Sequence, residues 1–283
     1  MVAHSPRVGR ATGLTAAGLL VAASMLLVFG PHAAPALVRS DATWHAGEQP
    51  PSPATPSPPS GSYRVIGLGD SVPAGAACDC TPYVSLVGTH EAARKNMTAT
   101  VANLAENGLT TSGLLTQLND PDVGREVAAA DLVIITVGAN DFDTDSVADE
   151  ACSGPGLDCF QPALKQQAPQ LSAVFGKVNE LLDGRSATVV VTGYWNVFLD
   201  GDVAADLGAD YVHNSTSLTL AENAQIAASA QGLGATYVDI YAPFKGASGT
   251  DDDTSLLADD GDHPNATGHH KIADAMEAVL ATA

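Results

Sequence analysis

A serine, a histidine and an acid lie at positions where the chain could assemble a nucleophile. Ser71 stands in Gly69-Asp70-Ser71, at the end of the short apolar run Tyr63 to Leu68, and Asp260-Gly261-Asp262-His263 lies close to the C-terminus. A serine hydroxyl is a weak nucleophile at neutral pH. It needs an imidazole to take its proton and a carboxylate to hold that imidazole in the productive tautomer. Gly-Asp-Ser alone carries little information, because Asp70 and Ser71 also suit a turn or a helix cap. A phosphate or dinucleotide loop does not fit: Gly67-x-Gly69 has no third glycine in register and no Lys-Ser/Thr partner.

The elements that would position these groups alternate. Tyr63–Leu68, Thr98–Asn103, Leu132–Val137, Ala187–Thr192 and Thr236–Ile240 are apolar or β-branched runs of strand length. Helical periodicity marks Tyr83–Lys95, Thr111–Gln117, Gln161–Leu182, Ser217–Gly232 and His270–Leu280, with Gly184 and Gly234 as stops. Strand–helix alternation predicts a parallel sheet between two helix layers, with ligands bound at the carboxyl ends of the strands. Ser71, Asn140 and the loop after Ile240 should emerge there.

Two further segments fall at strand exits: Asn103-Leu-Ala-Glu-Asn-Gly108 after the second strand and Gly138-Ala-Asn140-Asp141 after the third. With Gly69-Asp70-Ser71 and Asp260-x-x-His263-Pro264, these four blocks in this order resemble the SGNH hydrolase family, the GDSL-type esterases and lipases, in an exported bacterial form. The resemblance spans nearly all of the chain after the leader. It implies an α/β/α sandwich with a five-stranded parallel sheet, flavodoxin-like, in the order 2-1-3-4-5. It also implies that Ser71 is the nucleophile, His263 the base and then the acid, and Asp260 the residue orienting His263. Asp259 and Asp262 crowd that motif. Ser71 N–H, Gly108 N–H and the Asn140 side chain would form the oxyanion hole, with Gly113 or Asn107 as substitutes for Gly108. Asp70 and Asp141 would bond loop backbones and fix the rim. Val72 stands where leucine is common in the family.

The implied reaction is hydrolysis of a carboxylic ester of a lipid, a small molecule or an acetylated glycan, with no cofactor. The same triad would serve an envelope acyltransferase or a carbohydrate deacetylase, and a non-catalytic binding domain on the same fold is the alternative of another class. Trp195 and Phe198 suit a pocket wall or the core equally. The loops 144–160 and 196–211 would set acyl-chain length. His269 and His270, at a helix start, suit surface or packing roles and have no partners for a metal.

Residues 1–36 read as an export signal: Arg7 and Arg10, an apolar stretch from 11 to 30, then Ala34-Pro35-Ala36. That stretch is also long enough to act as an uncleaved membrane tether. Residues 37–61 form a Pro-rich linker, and 62–283 form one catalytic domain. The protein is expected to be secreted or extracytoplasmic, and monomeric. The chain carries 12 basic and 32 acidic side chains, a net charge of −20. Nucleic acid and anionic headgroups are therefore poor partners. The four cysteines, Cys78, Cys80, Cys152 and Cys159, read as disulfides in an oxidising compartment, since Cys-x-Cys and Cys-x6-Cys lack zinc-site spacing. Three connectivities are open, and Cys78–Cys80 with Cys152–Cys159 would each pin one loop locally.

Overall fold

The computed structural model describes residues 59–143, 157–196, 198–232 and 234–282. The expected leader 1–36, nearly all of the linker 37–61 and most of the loop 144–160 lie outside these residues. Among the described residues no helix is long and apolar enough to cross a membrane.

Five parallel strands, β1 (Ser62–Gly69), β2 (Thr98–Asn103), β3 (Leu132–Thr136), β4 (Thr188–Thr192) and β5 (Thr236–Val238), form one sheet in the order β2-β1-β3-β4-β5. The composition of each strand follows its place. β3, Leu-Val-Ile-Ile-Thr, is buried at every position, as a central strand covered on both faces must be. β2, Thr-Ala-Thr-Val-Ala-Asn, lies at an edge and keeps its threonines exposed. Registers Val65↔Val101 and Val65↔Leu132 bring the carboxyl ends of β1, β2 and β3 to one rim.

Nine helices are described: α1 (Ser71–Ala74), α2 (Tyr83–Arg94), α3 (Thr111–Gln117), α4 (Pro121–Ala128), α5 (Gln161–Leu182), α6 (Gly201–Leu207), α7 (Ala209–Gly232), α8 (Tyr241–Lys245) and α9 (Ala266–Leu280). α2 packs on β1, β2 and α9, while α5 packs on α3, α4 and α7. The two groups cover the two faces of the sheet. The chain leaves β1 toward β2 and later continues from β1's other side through β3. The reversal between β1 and β3 opens a crevice at the strand exits, the usual binding place in such sheets.

Several expectations need correcting. The helix expected from Ser217 begins at Ala209, and the one expected from His270 begins at Ala266. The segment 196–211, expected as a loop, contains α6, which starts where the Asp200 carboxylate accepts the Gly201 N–H. Trp195 and Phe198 are core residues: Trp195 stacks on Phe244 with centroids 4.7 Å apart, and Phe198 meets Phe142 edge-on.

Candidate active site

Ser71 opens α1. Asp70 caps the helix, accepting the Val72 N–H at 3.0 Å through Oδ1, and Gly75 closes it in the left-handed conformation. A cap at Asp70 leaves the Ser71 N–H outside the intrahelical bonds and pointing off the helix start, which suits an anion. The Asn103 amide donates to Pro73 O at 2.7 Å and so ties the β2 exit to α1. Asp70 is fully buried and accepts the Tyr194 hydroxyl through Oδ2. Burial pushes its carboxyl up to about 7, against the bonds from Tyr194 and Val72.

The loop before α9 holds the imidazole. Asp260 Oδ2 lies 2.8 Å from His263 Nδ1, and Oδ1 accepts the backbone N–H groups of Asp262 and His263, both at 3.0 Å. Burial works against the charge on Asp260, yet these bonds from His263 and Asp262 hold its carboxyl below the usual range. Asp262 is 3.7 Å from the same nitrogen, and burial raises its carboxyl instead. Of the three crowded acids, Asp260 alone has the geometry to orient the ring. Among the described residues no hydrogen bond joins Ser71 Oγ to His263. The charge of His263 is nonetheless felt at Asp70, the residue before Ser71. Such contacts are commonly loose without substrate.

Gly108 sits in the turn closed by Leu109 N–H to Glu106 O at 3.2 Å, with φ +77°. A Cβ there would meet nothing within 4 Å, so the backbone conformation calls for glycine and not the room around it. The Gly113 N–H is taken by the Thr110 hydroxyl at 3.1 Å, which removes the substitute donor. Asn140 is exposed and gives one amide hydrogen to Leu109 O at 3.2 Å, leaving the other free. Asp141 accepts Thr111 N–H at 3.0 Å and Gln167 Nε2–H at 3.1 Å, the bracing role expected of it.

Two residues without a sequence signal brace the same turn. Gln167 (α5) and Glu222 (α7) are fully buried, joined at 2.9 Å, and lie directly beneath Gly138. Two cavities flank the Gly108 turn. One, of about 180 Å³, is lined by polar side chains including Thr110, Ser112, Asn140, Gln166 and Gln170. The other, of about 650 Å³, is more mixed, with Leu104, Leu109 and Val123.

Cys78 and Cys80 are joined in a disulfide just after α1. Cys159 is also disulfide-bonded, and Cys152 lies outside the described residues. Contrary to the expectation, His269 does have metal-type neighbours: it is buried, with a ring nitrogen within 4.8 Å of the Cys78 and Cys80 sulfurs. The chemistry does not fit an ion. Both sulfurs are spent on each other, and His269 Nδ1 accepts the Tyr83 N–H at 3.3 Å, which puts the ring proton on Nε2.

Known proteins share the fold and the family. The model of the GDSL-like Lipase/Acylhydrolase family matches residues 68–271. No curated protein matches significantly. Among solved structures, a lipase from a goat rumen metagenome superposes with TM-score 0.61 at 20% identity, covering 76% of this chain and 96% of that one. Phospholipase A1 from Streptomyces albidoflavus NA297 gives 0.55 at 22% identity, covering 76% and 98%. An extracellular lipase from Streptomyces rimosus gives 0.54 at 22% identity, covering 76% and 99%.

Proposed function

The chain belongs to the GDSL-like lipase/acylhydrolase family, and from that premise we propose that it is an exported serine esterase acting through an acyl-enzyme on Ser71. His263 takes the Ser71 proton as Oγ attacks the ester carbonyl, while Asp260 holds Nδ1–H and steadies the imidazolium that forms. The tetrahedral oxyanion is met by the Ser71 N–H, the Gly108 N–H and the free hydrogen of the Asn140 amide. Each such donor contributes about 3 kcal/mol to lowering the barrier. His263 returns its proton to the departing alcohol, then activates the water that frees the acid.

The observation that carries this reading is the Asp260–His263 pair, 2.8 Å apart, with the carboxylate kept charged by two backbone N–H groups. The experiment is release of p-nitrophenol from acetyl, butyryl, octanoyl and palmitoyl esters by the whole chain, with Ser71→Ala and His263→Ala beside it. Each variant should lose about 10⁴-fold or more in kcat, and the double variant little beyond either. A Ser71→Ala protein that keeps most of its activity would refute the mechanism.

The small polar cavity beside Asn140 favours one second reading, an acetylated glycan as substrate, since hydroxyl and amide side chains suit a sugar better than an acyl chain. Acetate released from an acetylated polysaccharide faster than from p-nitrophenyl acetate would select it. Export is supported by Arg7 and Arg10, the apolar stretch 11–30 and Ala34-Pro35-Ala36. N-terminal sequencing of protein recovered outside the cell would find cleavage after Ala36, or an intact tether.

A further inference from the structure

Resting on the reading of Asn140 as an oxyanion donor, we infer that Glu222 is a positioning residue that sets the direction of the Asn140 amide by bracing the turn that carries it. Glu222 lies on α7, remote in sequence from all four motif blocks, and is fully buried. Its Oε1 accepts from Gln167 Nε2 at 2.9 Å. The same Gln167 nitrogen lies 3.1 Å from Gly138 O and 3.1 Å from Asp141 Oδ2, so one amide reaches both ends of the turn.

Contact with the turn is direct as well. Gly138 has φ +145°, and a Cβ built on it would fall 2.1 Å from Glu222 Oε1. The carboxyl therefore fills the space under the strand exit and fixes how closely the backbone passes. Ala139 N–H is held from the same side by the Tyr194 hydroxyl at 3.4 Å. Gly138, Ala139 and Asp141 are thus fixed from beneath, and Asn140 is the residue of the turn left to face outward.

An acid in this place is costly. Asp70, Asp141 and Tyr194 face it, and no Lys, Arg or His is among its described bonding partners. Burial first, then Asp141 and Asp70, raises its carboxyl well above the ordinary range. A leucine would fill the volume without that cost. What a leucine lacks is an oxygen to orient Gln167, and through it Gly138 O and Asp141.

The test measures kcat and KM of Glu222→Leu and Glu222→Gln, each in the otherwise native chain and in an Asn140→Ala chain. Glu222→Leu should lower kcat at least tenfold with KM within twofold. Glu222→Gln, which keeps an oxygen at the Oε1 position, should recover most of kcat. In the Asn140→Ala chain the leucine substitution should cost less than threefold, because the group it acts through is already gone. An equal cost in both backgrounds, or an unchanged kcat, overturns the inference. If Glu222→Leu does not fold, Gln167→Met gives the same non-additivity from the other end of the bond. A Ser71→Ala chain that still turned over would instead remove the reading of the site, in an arm that leaves Glu222 untouched.

Discussion

Two buried groups of carboxyls support the rim, and they are neutralised in different ways. Beneath the Gly138–Asp141 turn, Asp70, Asp141 and Glu222 gather with hydrogen-bond donors from Tyr194, Val72, Thr111 and Gln167, and among the described residues no ammonium or guanidinium bonds to them. Beneath the His263 loop, Asp200 and Asp253 close on the Lys245 ammonium at 2.6 and 3.0 Å. Asp200 also donates its backbone N–H to Gly261 O at 2.7 Å, inside the Asp260–His263 loop. In the proposed mechanism the first group aims a neutral donor, and burial raises the carboxyls of all three of its acids. The second anchors the loop on which the proposed mechanism develops a positive charge, and it sets two carboxyls against one ammonium. Burial opposes the charge on Lys245, but its two carboxylates keep it above the ordinary lysine range.

The difference is easiest to break by removing the cation. Lys245→Met strands two buried carboxylates and should cost about 3–5 kcal/mol in denaturant unfolding. Glu222→Gln removes no counter-charge and should cost under about 1 kcal/mol. Equal costs would mean the two groups are not distinct.

A pH series sharpens the contrast. Asp70 is raised to about 7 in the folded protein, against about 3.9 in an unfolded chain. The fold then binds more protons than the unfolded state across that interval, so the stability from Asp70 is complete below about pH 4 and is lost as pH rises through 7. Asp70→Asn should flatten the fall in unfolding free energy over that window by up to one proton per chain. Asp253, raised to about 6 by burial and by Asp200, repeats the sign over a shorter window. A smaller loss than that of Lys245→Met is expected at Asn265, which caps α9 by accepting the Thr267 and Gly268 N–H groups and donates to the Ser255 and Leu257 carbonyls. Asn265→Ala should cost about 1–2 kcal/mol in the same unfolding assay, by loosening the His263 loop.

The sheet was legible because its central strands are apolar throughout and its edge strand alternates with exposed threonines. Thr98–Asn103, Thr111–Gln117 and Gln161–Leu182 have the bounds their patterns predict. The start of α7 was hidden because Ala209–Ser217 is mostly polar, and Asn214 and Ser215 are buried in spite of it. α4 could have been found: Asp120 before Pro121 is a cap followed by proline at the first helical position, an ordinary start signal. The four motif blocks named the rim. The floor beneath it was not legible, since a glutamate and a glutamine on amphipathic helices read as solvent-facing until α5 and α7 pack and close over them.

Tyr194 lets that floor act as one piece. Its hydroxyl gives its hydrogen to Asp70, next to Ser71, and takes the N–H of Ala139, next to Asn140. One phenol therefore couples the settings of the two residues proposed to meet the same oxyanion. In the proposed mechanism the joint lies apart from whatever selects the ester, so a change at Tyr194 should disturb turnover of every substrate alike.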